Sequence, residues 1–283
     1  MFDIITVGSA TIDIFVDTGD KLFKERVPFG DKVLIDKFHI DTGGGATNTA
    51  VAFSRLGFDV GCLAKIGKGS QEIFDVLEKE GVDTSLLVKD LGVATEHSII
   101  LDTTGKDRTI LVHKDASLKF DWSEVSKDLK TKWFYLASMP VEFLENFISL
   151  GAKIALNTSQ YLAEKRPAKL LDVTDILVLN KEEAELLGND IKRAKIVVIT
   201  DKDNPVRAYS KGKEYTIEPH KNVKAVERTG AGDAFAAGFV SGIIKTGDIE
   251  KALKLALLNS ESVIGHYGAK NKLLTWEEAK DLL

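Results

Sequence analysis

Cysteine is almost absent from this chain: Cys62 is the only one in 283 residues. A lone thiol excludes an intrachain disulfide and any site built from several cysteines, and it suits a reducing compartment. Long apolar runs are missing as well. None approaches the ~18 residues that a membrane-spanning helix needs. The opening Met1-Phe2-Asp3-Ile4-Ile5 carries an acid and no basic segment, which is not the pattern of a secretory signal, so the cytoplasm is the expected location, with no membrane partner. Prolines number five, and no proline-rich linker, repeat or low-complexity tract divides the chain, so one domain over 1–283 is expected. Basic residues are outnumbered, 38 Lys and Arg against 43 Asp and Glu, and a formal charge of −5 gives no global field that would favour nucleic acid.

Several common chemistries are missing too. Gly61 to Lys68 is one residue too long for a P-loop, and Gly69 follows the lysine where Ser or Thr is needed. Val7-Gly8-Ser9-Ala10 lacks the further glycines of a dinucleotide fingerprint. The histidines at 39, 97, 113, 220 and 266 show no metal-ligand spacing, and Ser138 and Ser159 lack a nucleophile-elbow context.

What remains is a globular composition, with 44% hydrophobic residues, too apolar for a disordered chain. Short β-rich runs at 4–8, 60–66, 133–136, 154–156, 176–179 and 196–200 alternate with helical patterns at 48–56, 71–80, 141–150 and 181–187. Further helices are expected at 231–245, 249–264 and 275–282. This alternation predicts an α/β fold with a mostly parallel central sheet flanked by helices. Two stretches break it. Residues 11–40 hold Ile-Asp-Ile-Phe-Val-Asp at 12–17 and Lys-Val-Leu-Ile-Asp at 32–36, and 98–102 with 108–113 flank a bend at Gly105 that reads as a hairpin. They predict a small β-layer over one end of the core, formed by about 11–40 and 97–114.

Two glycine-rich segments carry the chemistry. Gly43-Gly44-Gly45-Ala46-Thr47-Asn48 runs into a helix, where bare backbone and Asn48 offer hydrogen bonds to hydroxyls or phosphate. The alternative is a flexible turn with Asn48 as a helix cap. Thr229-Gly230-Ala231-Gly232-Asp233 opens the helix at 231–245; its amides form an anion hole at the positive end of the helix dipole, and Asp233 in the first turn is placed to accept a hydroxyl proton. The alternative is that Asp233 only complements the dipole.

Together these segments resemble the two signatures of the ribokinase-like (phosphofructokinase-B-type) sugar and nucleoside kinases, over essentially the whole chain. The resemblance implies a parallel sheet flanked by helices with a β-sheet lid, a homodimer through that lid, and ATP-dependent phosphorylation of a hydroxymethyl group on a small sugar or nucleoside, with Mg²⁺ and a monovalent cation such as K⁺. It implies that Asp233 is the base, that Gly230, Ala231 and Gly232 stabilise the transferring phosphoryl, and that Asp13, Gly43, Gly44 and Asn48 bind substrate. For the nucleotide it implies Asn157, Asn180, Glu183, Thr200, Thr229 and Asn259, with Glu183 an outer-shell partner of Mg²⁺ through water. Asp13 as an exposed charge, and Asn180 with Glu183 as an acid-rich helix start, are the structural alternatives. Phe15, Ile99 and Leu111 are the lid residues that would pack against a base.

The chain also departs from the pattern. Glu227 and Arg228 replace the usual Asp-Thr, Thr200-Asp201-Lys202-Asp203-Asn204-Pro205 lacks two glycines of the loop near the ribose, and Gly67-Lys68-Gly69 replaces an acidic stretch. Arg228 either grips phosphate or faces solvent or Glu227. A non-catalytic sugar- or nucleoside-binding regulatory paralogue is the reading of a different class.

Overall fold

In a computed structural model, the described residues are 1–17, 32, 34–35, 37–102, 109–125, 128–221, 223 and 228–283. Glu227, the Gly105 bend and residues 33 and 36 lie outside them. The first strand, β1 (Phe2–Val7), leads to β2 (Thr11–Asp17) and β3 (Lys37–Gly43), then helix α1 (Gly45–Arg55), β4 (Val60–Leu63), β5 (Lys65–Lys68), α2 (Gln71–Lys79), β6 (Val88–Ala94), β7 (Glu96–Asp102) and β8 (Thr109–His113). The second half runs β9 (Thr131–Leu136), α3 (Val141–Leu144), β10 (Lys153–Asn157), α4 (Gln160–Lys165), α5 (Ala168–Val173), β11 (Ile176–Asn180), α6 (Lys181–Leu187), β12 (Ile196–Asp201), β13 (Asn204–Ser210), β14 (Lys213–Ile217), α7 (Ala231–Thr246), α8 (Ile249–Ile264) and α9 (Trp276–Lys280).

Eight strands form the main sheet in the order β14-β13-β12-β11-β10-β9-β1-β4. Six are mutually parallel and β13 and β14 extend the edge as an antiparallel hairpin. Side chains alternate between two apolar layers, Ile4 and Tyr135 into the one shared with α1, α7 and α8, Ile5 and Phe134 into the opposite one. Burial on both faces is what makes these strands read as continuous apolar runs. At β1 the order of connection reverses, with β9 on one side and β4 on the other, so the carboxyl end of β1 is a topological switch point, where α/β sheets open a ligand crevice.

A four-stranded sheet, β3-β2-β7-β8, stands over that end. Its register pairs Asp13 with Asp41 and Ser98, and Ile14 with Ile40 and Ile99. Strand alternation therefore puts Asp13, Asp41, Ser98 and Phe15 on one face and Ile14, Ile40, Ile99 and Leu111 on the other. Of the lid residues expected to pack against a base, Phe15 lies on the face of Asp13, whereas Ile99 and Leu111 lie on the opposite face, each one residue out of phase.

Other expectations are corrected in detail. The strand expected at 60–66 is two: β4 pairs with β1, and the Ala64 carbonyl then accepts from Val88 at 2.9 Å, drawing β5 away to pair with β6. The helix expected at 141–150 is α3 followed by a 3₁₀ stretch, Glu145–Leu150, whose Phe147 packs edge-on against Trp122 and Phe134. The helix expected from Asn48 starts at Gly45, so Asn48 does not cap it but sits in its first turn.

Candidate active site

The loop after β1 and the start of α1 are knitted together by short bonds. Ala46 donates its amide to the Ser9 carbonyl at 3.1 Å, Thr6 Oγ1 donates to the Ala46 carbonyl at 3.0 Å, and Thr47 Oγ1 to the Gly43 carbonyl at 2.6 Å. Gly44 has a φ of 101°, open to glycine at little cost, and a side chain there would strike the Ser9 carbonyl. A side chain on Gly43 would strike the Asp13 carboxylate. These two glycines let the turn lie flat beneath Asp13, which is buried, accepts from Thr11 Oγ1 at 2.9 Å, and has its pKa raised mainly by burial. Asp13 is thus no exposed lid charge.

Across the crevice, Gly230 has a φ of 78° and begins α7, whose N-terminus carries no side-chain cap. A side chain on Gly230 would collide with Ala269, whereas one on Gly232 would meet nothing within 4 Å. The first glycine is demanded by packing; the second leaves open space at the mouth of the helix dipole. The Ala231 amide makes a long 3.3 Å bond to the Arg228 carbonyl. Asp233, in the first turn, accepts from Asn48 Nδ2 at 2.8 Å, a bond spanning 185 residues that ties the two glycine segments together. Burial pushes the Asp233 carboxyl up to about 6, against the opposing effects of the Asn48 bond and the Lys270 charge. The Asn48 Oδ1 is buried with no partner among the described residues, an acceptor awaiting a donor.

The residues assigned to nucleotide divide in character. Asn180 caps α6: its Oδ1 accepts from the Glu183 amide at 2.8 Å, and Glu183 Oε2 accepts from the Asn180 amide at 3.1 Å and from Thr158 Oγ1 at 2.8 Å. A cleft of about 640 Å³ opens beside this cap, lined by Gln160, Glu182 and Lys202 among others. Thr200 lies at the end of β12, Asn157 at the end of β10, and Thr229 in the turn before α7. Asn259 is fully buried, its Nδ2 donating to the Ala234 carbonyl at 2.8 Å and its Oδ1 accepting from Leu274 at 3.0 Å. Both ends of that amide bond to the protein, so Asn259 ties α8 to α7 and to the chain at Leu274. Arg228 is exposed and donates through Nη2 to both oxygens of Asp203, at 3.1 and 3.2 Å. Its partner comes from the loop that lost its glycines, so two departures from the family pattern meet in one contact.

One residue of the site escaped sequence reasoning. Lys270 follows the Gly268-Ala269 turn, is only 6% exposed, and donates its ammonium to the Thr42 carbonyl and, at 3.1 Å, to Thr42 Oγ1. A single lysine in a polar turn reads as solvent-facing. Only the close approach of Gly268, where a side chain would meet the Asp41 carboxylate, reveals why this turn is buried.

A switch-point crevice with an uncapped helix N-terminus and an enclosed carboxylate beside it is the equipment of a phosphotransferase acting on an alcohol. The chain belongs to the pfkB family of carbohydrate kinases, whose model matches residues 1–276. It is a sugar or nucleoside kinase. It is 28% identical to the ribokinase of Bacillus subtilis, with the whole of both chains covered. Among solved structures it resembles the nucleoside kinase of Methanocaldococcus jannaschii (TM-score 0.85, 21% identity, 99% of this chain and 97% of that one). It also resembles the Arabidopsis thaliana ribokinase complexed with ribose and ATP (TM-score 0.84, 19% identity, 99% and 96%).

Proposed function

We propose that this kinase transfers the γ-phosphoryl group of ATP to the hydroxymethyl group of a small uncharged sugar or nucleoside. The observation that carries the reading is the Asn48–Asp233 bond of 2.8 Å, which sets the glycine turn under Asp13 and the mouth of α7 on either side of one crevice. Substrate hydroxyls donate to Asp13 and to the unpartnered Oδ1 of Asn48, and receive bonds from the bare backbone at Gly43 and Gly44. Asp13 and Asp41 on the same sheet face favour hydroxyl donors and oppose an anionic group, which argues for a neutral polyol over a sugar acid. Phe15 supplies an apolar surface on that face for a sugar or base.

As the hydroxyl oxygen attacks phosphorus, its proton passes to Asp233 and the bond to ADP breaks. The amides of Gly230, Ala231 and Gly232 receive the charge of the transferring group; the weak Ala231 bond to Arg228 yields readily to a phosphate oxygen. Thr200, Thr229, Asn157 and Arg228 border the nucleotide, and Asn259 holds the wall behind it. A carboxylate fixed by a helix cap, as in Glu183, suits a hydrated Mg²⁺ that takes its inner oxygens from phosphates and water, with Asn180 alongside. Mg²⁺ would neutralise charge on the phosphate oxygens.

The small sheet acts as the lid of a single kinase domain, and its outer face, with Phe38, Ile40, Ile99 and Leu111 exposed, is the seat of a homodimer. Among the described residues no helix is long and apolar enough to cross a membrane, and the one buried thiol accords with a cytoplasmic enzyme. The test is ADP release with Mg-ATP over a panel of ribose, fructose, nucleosides and sugar acids. Turnover of a neutral member supports the reading; binding of a sugar without turnover on any member overturns it in favour of a regulatory protein.

A further inference from the structure

Lys270 brings a cation into a place where bare cations are costly. Burying an ammonium is strongly unfavourable unless nearby charge compensates, and among the described residues its only hydrogen-bond partners are the carbonyl and hydroxyl of Thr42, both uncharged. The compensating charges are more distant. They are Asp41 on β3, Asp13 on β2 and Asp233 on α7, with the Cys62 thiol on β4 also facing the ammonium and Glu80, at the end of α2, feeling its charge. Tyr135 on β9 is buried and feels the charge of Asp233.

The turn carrying Lys270 is wedged between the two halves of the site. Gly268 lies so close to Asp41 that a side chain could not fit, and Ala269 presses on Gly230 just as tightly. Arg55 closes the outer side, donating to the Leu273 carbonyl at 3.2 Å while paired with both oxygens of Glu80 at 2.7 Å. The turn holds the lysine between the two halves of the site, where its charge acts on both the substrate acid and the proton acceptor.

We propose that Lys270 is a positioning residue: pinned to Thr42, its ammonium is the fixed countercharge that lets Asp13 and Asp233 be anionic together in one enclosed crevice. Two carboxylates that repel each other in a poorly solvated site tend to share a proton. Sharing would disable either the hydroxyl acceptor or the base. A tethered ammonium removes that conflict without binding to either, leaving both carboxylates open to substrate. Burial and the three acids act on Lys270 in opposite directions, and burial prevails, bringing its pKa down to about 8. The countercharge therefore fades above that pH.

The inference rests on Asp233 being the proton acceptor, so its test has a readout that needs no turnover. The ¹³C carboxyl resonance of Asp233, assigned with D233N, is titrated in the unliganded wild type, K270M and K270R, alongside pH profiles of kcat/KM. In K270M the Asp233 titration should move up by about one unit, with kcat/KM falling about fivefold near pH 6 and much less near pH 8. K270R should keep the acid limb of the wild type, because guanidinium keeps the positive charge. An unmoved Asp233 titration in folded K270M, or an equal loss of kcat/KM at every pH, overturns the proposal. If no substrate turns over at all, the function fails while the carboxyl titration still decides the countercharge. If K270M does not fold, reductively ¹³C-methylated wild type decides it. A lysine resonance, missing in K270R, whose shift follows the Asp233 titration near pH 6 supports the proposal; a Lys270 resonance unchanged through that titration overturns it.

Discussion

With Asp233 as the proposed base, a single side chain sets the working range of the enzyme. Its folded pKa of about 6 lies above the ordinary carboxylate value of 3.8, mainly through burial, so it is protonated below pH 6 and cannot accept the substrate proton there. kcat should fall as pH drops through about 6, and a steady-state profile with saturating substrate checks it. Stability runs the other way: the contribution of a raised acid is full below about pH 4 and fades as pH rises through 6, so the catalytic state is the less stable one. Asp233→Asn keeps the shape and the Asn48 contact while removing the acceptor, and should lower kcat on the order of 10²-fold with KM little changed. Near-normal turnover in the folded variant would remove Asp233 from the chemistry. Asp13→Ala should weaken substrate binding by roughly 1 kcal/mol or more for each hydroxyl left unpaired, with ATP affinity retained, as calorimetry with each ligand would show. Asp233 was legible as the end of the Thr229–Asp233 segment, and Asp13 only through the family resemblance, as an acid soon after the first strand. Lys270 was not, since its burial comes from Gly268 and Ala269 packing against segments far away in the chain.

At the scale of elements, the loop between β12 and β13 and the turn before α7 form one unit through Asp203 and Arg228. Exposed pairs of this kind contribute about 0–1 kcal/mol to stability, so the consequence is for ligand and not for fold. On the proposed phosphate role of Arg228, Asp203 would compete with phosphate for the same guanidinium. Asp203→Asn should therefore lower the KM for ATP severalfold, and Arg228→Ala should raise it; identical KM values in both variants would place Arg228 outside the nucleotide site. The parallel strands were legible because two-sided burial makes them uninterrupted apolar runs. The β13–β14 hairpin was not, since an edge pair such as Arg207 opposite Thr216 carries polar residues that read as loop. Nor was the split of the strand after Leu63, which depends on Val88 pulling the Ala64 carbonyl out of line. Ile99 and Leu111 show a subtler limit: the strands were recognisable, but which face meets substrate is set by register, and one residue decides it.

For the whole molecule, the outer face of the small sheet predicts assembly. Phe38 is 59% exposed and Leu111 52%, large values for apolar residues on one sheet face. Phe38→Asp should convert a dimer to a monomer in sedimentation velocity while Asp13, on the opposite face, still binds substrate; a wild type that sediments as a monomer at high concentration would end the dimer proposal. The same sheet has a mechanical consequence. Its centre is the parallel pairing of β2 with β7, and these strands come from two separate excursions of the chain, one bounded by β1 and α1, the other by β6 and the segment before β9. A flap hung from one excursion would flex about a single pair of joints. This one is stitched across seven paired positions, from Thr11 with Glu96 to Asp17 with Asp102, so its halves must swing as one board. Fluorophores placed on β3 and on β8 should then report the same relaxation rate when substrate is mixed in, although the two strands never touch.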